Sequence, residues 1–201
     1  MSRRALIVIG ILAAAIILPA GCAVSTYNEL VRLDQKVGAQ WAQVENAYQR
    51  RLDLVPNLVE TVKGAAAFEK DTFTAVTEAR SRAAQATGAA RNAPADPAAL
   101  EKFQQAQAEL SSALSRLLVV VERYPDLKAT QNFRDLQAQL EGTENRIAVE
   151  RMRFNEAVQE FNSKRNSFPA VIIASLFGSR FQEKAYFRAE VGADKAPKVK
   201  F

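Results

Sequence analysis

The 201-residue chain has no histidine and a single cysteine, Cys22. Those two shortages exclude a good deal of chemistry. Zinc sites built from histidine and cysteine, Cys–His nucleophile pairs and Ser–His–Asp triads are all out of reach. A disulfide within the chain cannot form, so both a reducing and an oxidising compartment remain open. Glycine and proline are also scarce, at eight and seven residues. That scarcity suits long helices better than a fold with many tight turns. Nothing in the sequence resembles a glycine-rich loop of the kind that cradles phosphate.

The formal net charge is +5, but it is unevenly spread. Arg3 and Arg4 precede an uncharged run, residues 25–179 hold 19 basic and 19 acidic side chains, and residues 180–201 hold six basic and three acidic ones. The body is therefore neutral and both ends are basic. A nucleic-acid binder carries its positive charge as a patch on the body. Here it lies where anionic lipid is the nearer partner.

From Ala5 to Val24, ALIVIGILAAAIILPAGCAV, no residue is charged. At about 1.5 Å per residue this run spans about 30 Å, the thickness of a bilayer core. With Arg3 and Arg4 before it, the positive-inside rule leaves the N-terminus in the cytoplasm and the remainder exported. Two other readings compete with a retained transmembrane helix. The stretch ending Ala20-Gly21-Cys22 has the small residues of a lipoprotein signal, with Cys22 as the lipidated residue, although Pro19 suits that pattern poorly. A plain cleaved signal is the third.

Beyond the anchor, apolar positions recur with helical period. Leu30, Leu33, Val37, Trp41, Val44, Tyr48, Leu52 and Val55 step by three and four, which a strand does not. The first helical segment runs from about Tyr27 to Leu54, either continuing from the anchor or starting afresh at a Ser25/Thr26 cap. The second starts at Pro56, a residue suited to a first helical turn, carries Val59, Val62, Ala66, Phe73, Val76 and Ala83, and ends near Gly88. GAARNAPADP reads as a loop. Asp96-Pro97 opens the third segment, with Leu100, Phe103, Gln107, Leu110, Leu114, Leu117 and Val121. Tyr124-Pro125-Asp126 is the turn out. The fourth carries Phe133, Leu136, Leu140, Thr143, Ile147, Phe154, Val158 and Phe161 to about Arg165. Gly142 within it costs about 1 kcal/mol relative to alanine, and close packing against a neighbour is the expected reason. The alanine-rich stretches 65–67 and 83–90 are expected to allow close helix approach.

Four amphipathic segments with short or moderate links predict an all-α fold, an antiparallel four-helix bundle behind an N-terminal transmembrane helix. The segments alternate in direction, so the chain returns toward the bilayer at about Phe168. FPAVIIASLFG, residues 168–178, is too short to span. It reads as a short helix covering the base of the bundle, or as a segment touching the membrane or a partner's anchor. In the extended tail that follows, Tyr186, Phe187, Val199 and Phe201 either pin the chain along the bundle or belong to a free arm. The organisation expected is an anchor or signal over 1–25, a helical body over 26–179 and a basic tail over 180–201.

Two polar clusters are candidate sites. In RRLDLVPNLVE the side chains of Arg50, Arg51, Asp53, Asn57 and Glu60 surround Pro56. A proline ending one helix frees backbone groups, so these residues read as a structural corner or as a partner-binding surface. In the second cluster Glu141, Glu144, Glu150 and Glu156 share helical spacing with Arg146, Arg151 and Arg153. Paired carboxylates can do acid–base work, but a di-metal site of Glu and Glu-x-x-His is impossible without histidine. Pairs between turns on a solvated face are expected, with some buried cross-links near Asn145 and Asn155. Trp41 lies in its stripe and reads as core.

YNELVRLDQKVGAQWAQVENAYQRRLDLVPNLVETVKG, ENRIAVERMRFNEAVQEFN and the closing FP…LFG…YF…PKVKF resemble, in order, the motifs of the LemA family. Phe154 stands where tyrosine is common, and the cysteine motif is atypical. The resemblance implies a bacterial membrane protein with one N-terminal span and a LemA-type helical bundle. It carries no established enzymatic activity, so no catalytic residues transfer. The expectation is a non-enzymatic scaffold or adaptor, anchored in the inner membrane with its body on the periplasmic side. Its partners would be the membrane and membrane or periplasmic proteins, or a second copy. No cofactor, metal, nucleic acid or small-molecule substrate is expected. A lipid-binding or membrane-remodelling protein is the alternative.

Overall fold

A computed structural model describes residues 3–64 and 69–188. Among them the chain is helical and contains no strand. The elements are α1 (Arg3–Lys63), α2 (Lys70–Ala89), a 3-10 helix (Ala90–Ala95), α3 (Pro97–Val121), α4 (Pro125–Lys128), α5 (Gln131–Asn166) and α6 (Ala170–Leu176). They divide into two compact units, Met1–Tyr48 with Arg146–Lys184 and Gln49–Asn145 with Ala185–Phe201.

The first unit holds the apolar N-terminal part of α1. No break occurs at Ser25 or Thr26, so the anchor and the first stripe are one helix of 61 residues. Its environment changes sharply along its length. Leu6, Ile7, Ile11, Leu12, Ile16, Ile17, Leu18 and Val24 are all exposed, whereas Thr26, Leu30, Leu33 and Val37 are buried. By length and composition α1 is apolar enough to cross a membrane. From Thr26 onward it pairs with α5, and Leu30, Leu33, Val37, Trp41 and Val44 of α1 are buried, as are Ile147, Phe154, Val158 and Phe161 of α5. Polar and aromatic pairs give the direction. Glu29 pairs with Lys164, Lys36 with Glu160, and Trp41 meets the edge of Phe154. Partners step down α5 as they step up α1, so these stretches run antiparallel.

In the second unit one core draws on Leu52, Val55, Leu58, Val59 and Val62 of α1 and on Phe73, Val76, Ala79 and Ala83 of α2. Leu110, Leu114, Leu117 and Val121 of α3, Leu127 of α4, and Phe133 and Leu140 of α5 complete it. The helix starts follow local chemistry. Asp96 caps α3 by accepting from the amides of Ala98 and Ala99 at 3.0 and 3.2 Å, with Pro97 in the first turn. The expected loop after Gly88 is instead largely a 3-10 helix whose Ala90, Ala93 and Pro94 are buried. Small residues let that turn sit against the core, so the segment is packed where composition alone suggests irregular chain. Gly142 is also a correction: a side chain there would meet nothing within 4 Å, so close packing does not explain it.

The corner at Pro56 is not observed. α1 continues through it to Lys63, and the single segment expected from Pro56 to Gly88 is divided between the end of α1 and α2. Proline in a helix interior costs about 3 kcal/mol, because it denies a hydrogen bond to the carbonyl four residues earlier and crowds it. That carbonyl belongs to Leu52, and the Nε–H of Arg80 on α2 donates to it at 2.9 Å. Val55, Leu58, Val59 and Val62 stay buried because the helix continues. At about 1.5–3 kcal/mol each, their burial outweighs the cost of the proline.

A double-mutant cycle checks this account. Arg80→Met is expected to cost about 1–2 kcal/mol in the natural chain. In a Pro56→Ala background most of that loss should vanish, because alanine supplies the missing amide to Leu52. Equal losses in both backgrounds, by denaturation of the full chain in detergent, would show that Arg80 does not serve that carbonyl.

The alanines at 65–67, and Ala66 of the second stripe, lie outside the described residues, as do Val199 and Phe201. The tail is held as far as residue 188. In the first unit Phe181 is buried and its carbonyl accepts from Arg165 at 2.6 Å. Asn162 donates to the Lys184 carbonyl and accepts its amide, both at 2.9 Å, while the Lys184 ammonium pairs with Asp34 at 2.7 Å. In the second unit the Ala185 amide donates to the Pro94 carbonyl at 3.0 Å, and Phe187 sets its edge against Phe103. Tyr186 is exposed.

Candidate functional site

The residues around Pro56 do not assemble into one site. Arg50, Asp53, Pro56, Asn57 and Glu60 are exposed on α1, whereas Arg51 is buried. Asp53 accepts from Gln49 at 2.8 Å, and Glu60 pairs with Lys63 at 3.6 Å. The Asn57 carbonyl accepts from Thr61 at 2.8 Å. All of these are contacts within one helix.

Arg51 turns inward and ties three helices together. Its guanidinium donates to Ser111 Oγ at 2.9 Å, to the Gln107 carbonyl at 3.2 Å, to the Gln107 side-chain oxygen, and to Glu144 at 3.2 Å. Gln107 in turn donates from its amide to Thr87 of α2 at 3.0 Å. Arg51 is 2% exposed, but Glu144 keeps 43% of its surface in solvent. The carboxylate therefore stays largely hydrated, and the cost of burying charge falls mainly on the arginine, whose two terminal nitrogens both donate hydrogen bonds. Such a group is a cross-link between helices. It is fixed by its partners.

The four glutamates of α5 also go to different places. Glu141 and Glu156 are exposed, Glu144 meets Arg51, and Glu150 is buried at 1% exposure. Arg146 and Arg153 on the same helix fold over Glu150 at 2.9 and 3.1 Å. The expected pairs between turns are thus present, but the carboxylate at their centre lies inside the first unit and is not on a solvated face. Among the described residues no three His, Cys, Asp or Glu side chains are grouped so as to hold a metal ion. Cys22 is exposed on the apolar part of α1.

The most unusual surface lies at α6. Ala170 and Ala174 are buried, while Phe168, Ile172 and Leu176 are 81%, 56% and 77% exposed. Next to this edge Phe177 and Phe181 pack on Tyr27 of α1, with ring centroids 5.0 and 5.4 Å away. Arg180 lies over the same Tyr27 ring at 5.6 Å.

The sequence model of the LemA family matches residues 40–201. The chain belongs to the LemA family. The match covers Arg51, the glutamates of α5 and α6, and it begins after the exposed apolar run of α1. Among curated proteins, this LemA chain is similar to magnetosome proteins MamQ 1 and MamQ 2 of Paramagnetospirillum magneticum, each 25% identical over 186 residues. It is likewise 25% identical over 183 residues to magnetosome protein MamQ of Magnetospirillum gryphiswaldense. The alignments cover 84% of this chain and 66% of each relative. The chain thus spans slightly less than two thirds of the length of the curated relatives it matches. Of the features of this LemA protein, sequence reasoning missed the Arg80–Leu52 bond, and it left open which residues of 168–178 face outward. The first has a signal, since any proline inside a helix orphans the carbonyl four residues back. The donor itself comes from another helix and has none.

Proposed function

We propose that this LemA protein is a membrane-tethered, non-enzymatic helical scaffold of the bacterial inner membrane. Residues 5–24 of α1 cross the bilayer once with the N-terminus in the cytoplasm, and the helical body stands on the periplasmic side. There it binds membrane or periplasmic proteins, or a second copy of itself, through a LemA-type antiparallel four-helix body over residues 26–179. Lipidation at Cys22 is a second route to the same tether.

The observation that carries this reading is the change of burial along one unbroken helix. Leu18 and Val24 are 72% and 61% exposed, while Leu30 is wholly buried. A run of exposed leucine, isoleucine and valine on a rigid helix needs an apolar medium around it. Similarity to the MamQ magnetosome proteins supports a membrane-associated role. The engagement of Arg51 in a cross-link between helices, and of Glu150 in pairs along α5, supports architecture over catalysis. A second reading, a lipid-binding or membrane-remodelling protein, draws its support from the exposed edge of α6.

The test is photo-crosslinking in intact cells from Arg50, Asn57 and Glu60, three exposed positions of α1. Discrete adducts with membrane or periplasmic proteins, or with the chain itself, are expected. Protease added to spheroplasts should remove the body. No adduct from any position, together with a monomeric native mass in mild detergent, would overturn the scaffold reading. Protection from the protease until lysis would overturn the sidedness.

A further inference from the structure

The pattern of α6 is inverted relative to a helix covering a soluble core. Such a helix turns its large apolar residues inward and its small or polar ones outward. In α6 the inward positions are Ala170 and Ala174, at 0% and 1% exposure, and the outward ones are Ile172 and Leu176, with Phe168 exposed in the turn just before the helix. Ile172 and Leu176 lie four positions apart and so share one edge of α6, and Phe168 is exposed in the turn that leads into it. Val171 and Phe177 widen it at 39% and 44% exposure. Burying the alanines against the first unit leaves every large side chain of this edge in need of an apolar neighbour.

The place of this edge decides what the neighbour is. Tyr27 packs on Phe177 and Phe181. It follows Val24, the end of the apolar run, by three residues, about 4.5 Å along the helix. The α6 edge is therefore continuous with the exposed apolar surface of α1 at the point where α1 changes from exposed to buried. Arg180 lies against the Tyr27–Phe181 ring pair, its guanidinium 5.6 and 5.8 Å from the two centroids. Aromatic rings with a nearby arginine are the composition of a membrane–water boundary, where rings sit at headgroup level and the cation reaches lipid phosphate. α6 has seven residues, far fewer than the ~20 needed to span, so it can only lie along the surface.

We propose that Ile172 and Leu176 of α6, with Phe168 of the turn before it, insert into the headgroup–acyl boundary of the phospholipid bilayer that α1 crosses. They give the first unit a second seat on the membrane beside the tether, with Arg180 at the phosphate level. This rests on reading residues 5–24 as a retained span.

The experiment uses the full chain with Cys22→Ser, reconstituted in vesicles of phosphatidylethanolamine and phosphatidylglycerol. An environment-sensitive fluorophore is attached in turn at Phe168→Cys, Ile172→Cys, Leu176→Cys, Ile16→Cys and Met152→Cys. All five positions are exposed, so none of these changes removes core packing. For an edge sunk about 5–10 Å into the boundary, probes at 168, 172 and 176 should be blue-shifted and lose about half their emission to a nitroxide at the top of the acyl chain. The probe at 16 should be quenched by a deep nitroxide, and the probe at 152 by neither. If 16 is quenched while 168, 172 and 176 behave like 152, the seat is refuted and the span stands. If 16 is unquenched as well, both fall. Blue-shifted probes at 168, 172 and 176 that no lipid nitroxide reaches would mean a protein covers the edge, which also overturns the proposal.

Discussion

Phe154→Ala is expected to cost about 3–5 kcal/mol, the range for deleting a fully buried aromatic ring. Phe154 is 0% exposed and lies at the α1–α5 contact of the first unit, its ring 5.4 Å from Trp41 and tilted at 62°. The loss combines the transfer of a benzyl group from core to water, a cavity that rigid helices cannot collapse, and an edge-to-face contact of about 0.5–1.5 kcal/mol. Trp41 is the only tryptophan, so its emission reports the site directly. Denaturation of the full chain in detergent, followed by that emission, should give the midpoint shift. Phe154→Leu should recover more than half of the loss. A change under about 1 kcal/mol for alanine would mean that the two stripes do not pack as described.

Arg51→Met is expected to cost about 2–4 kcal/mol, although methionine keeps the apolar stem. The loss comes from what is left behind. The Gln107 side-chain oxygen loses the guanidinium donor, and Ser111 loses the one bonded to it at 2.9 Å. Glu144, at 43% exposure, regains water and adds little. Glu144→Gln alone should therefore cost under about 1 kcal/mol, as for other exposed partners. Arg51→Lys should restore only part of the stability, because a compact ammonium with three donors cannot reach all four acceptors that the guanidinium fork spans. If Glu144→Gln proved as damaging as Arg51→Met, the ion pair would dominate and the hydrogen-bond account would be wrong.

These two residues also show where reading the chain alone succeeds. Phe154 stands in a stripe of period three and four, and every described member of the first three stripes is buried. In the fourth, Leu136 is partly buried against the core and the others are buried. Periodicity works because a helix can bury only the side chains that fall on one face. Arg51 shows where such reading stops. It stands next to Arg50 in sequence, yet one is buried and the other exposed. Adjacent helical positions differ by about 100° in direction, so identity alone does not distinguish them.

The sequence by itself determined that the chain is helical, that its first apolar run is long enough for a bilayer, and which residues form the apolar seams. Each of these depends on local period, length or composition. Only the tertiary structure decided that α1 passes through Pro56, that Arg80 serves the Leu52 carbonyl, and that α6 turns alanines inward and large apolar residues outward. The reason is common to all three. A helix end or a helix face is chosen by the partners available to orphaned backbone groups and apolar side chains, and those partners lie far away along the chain.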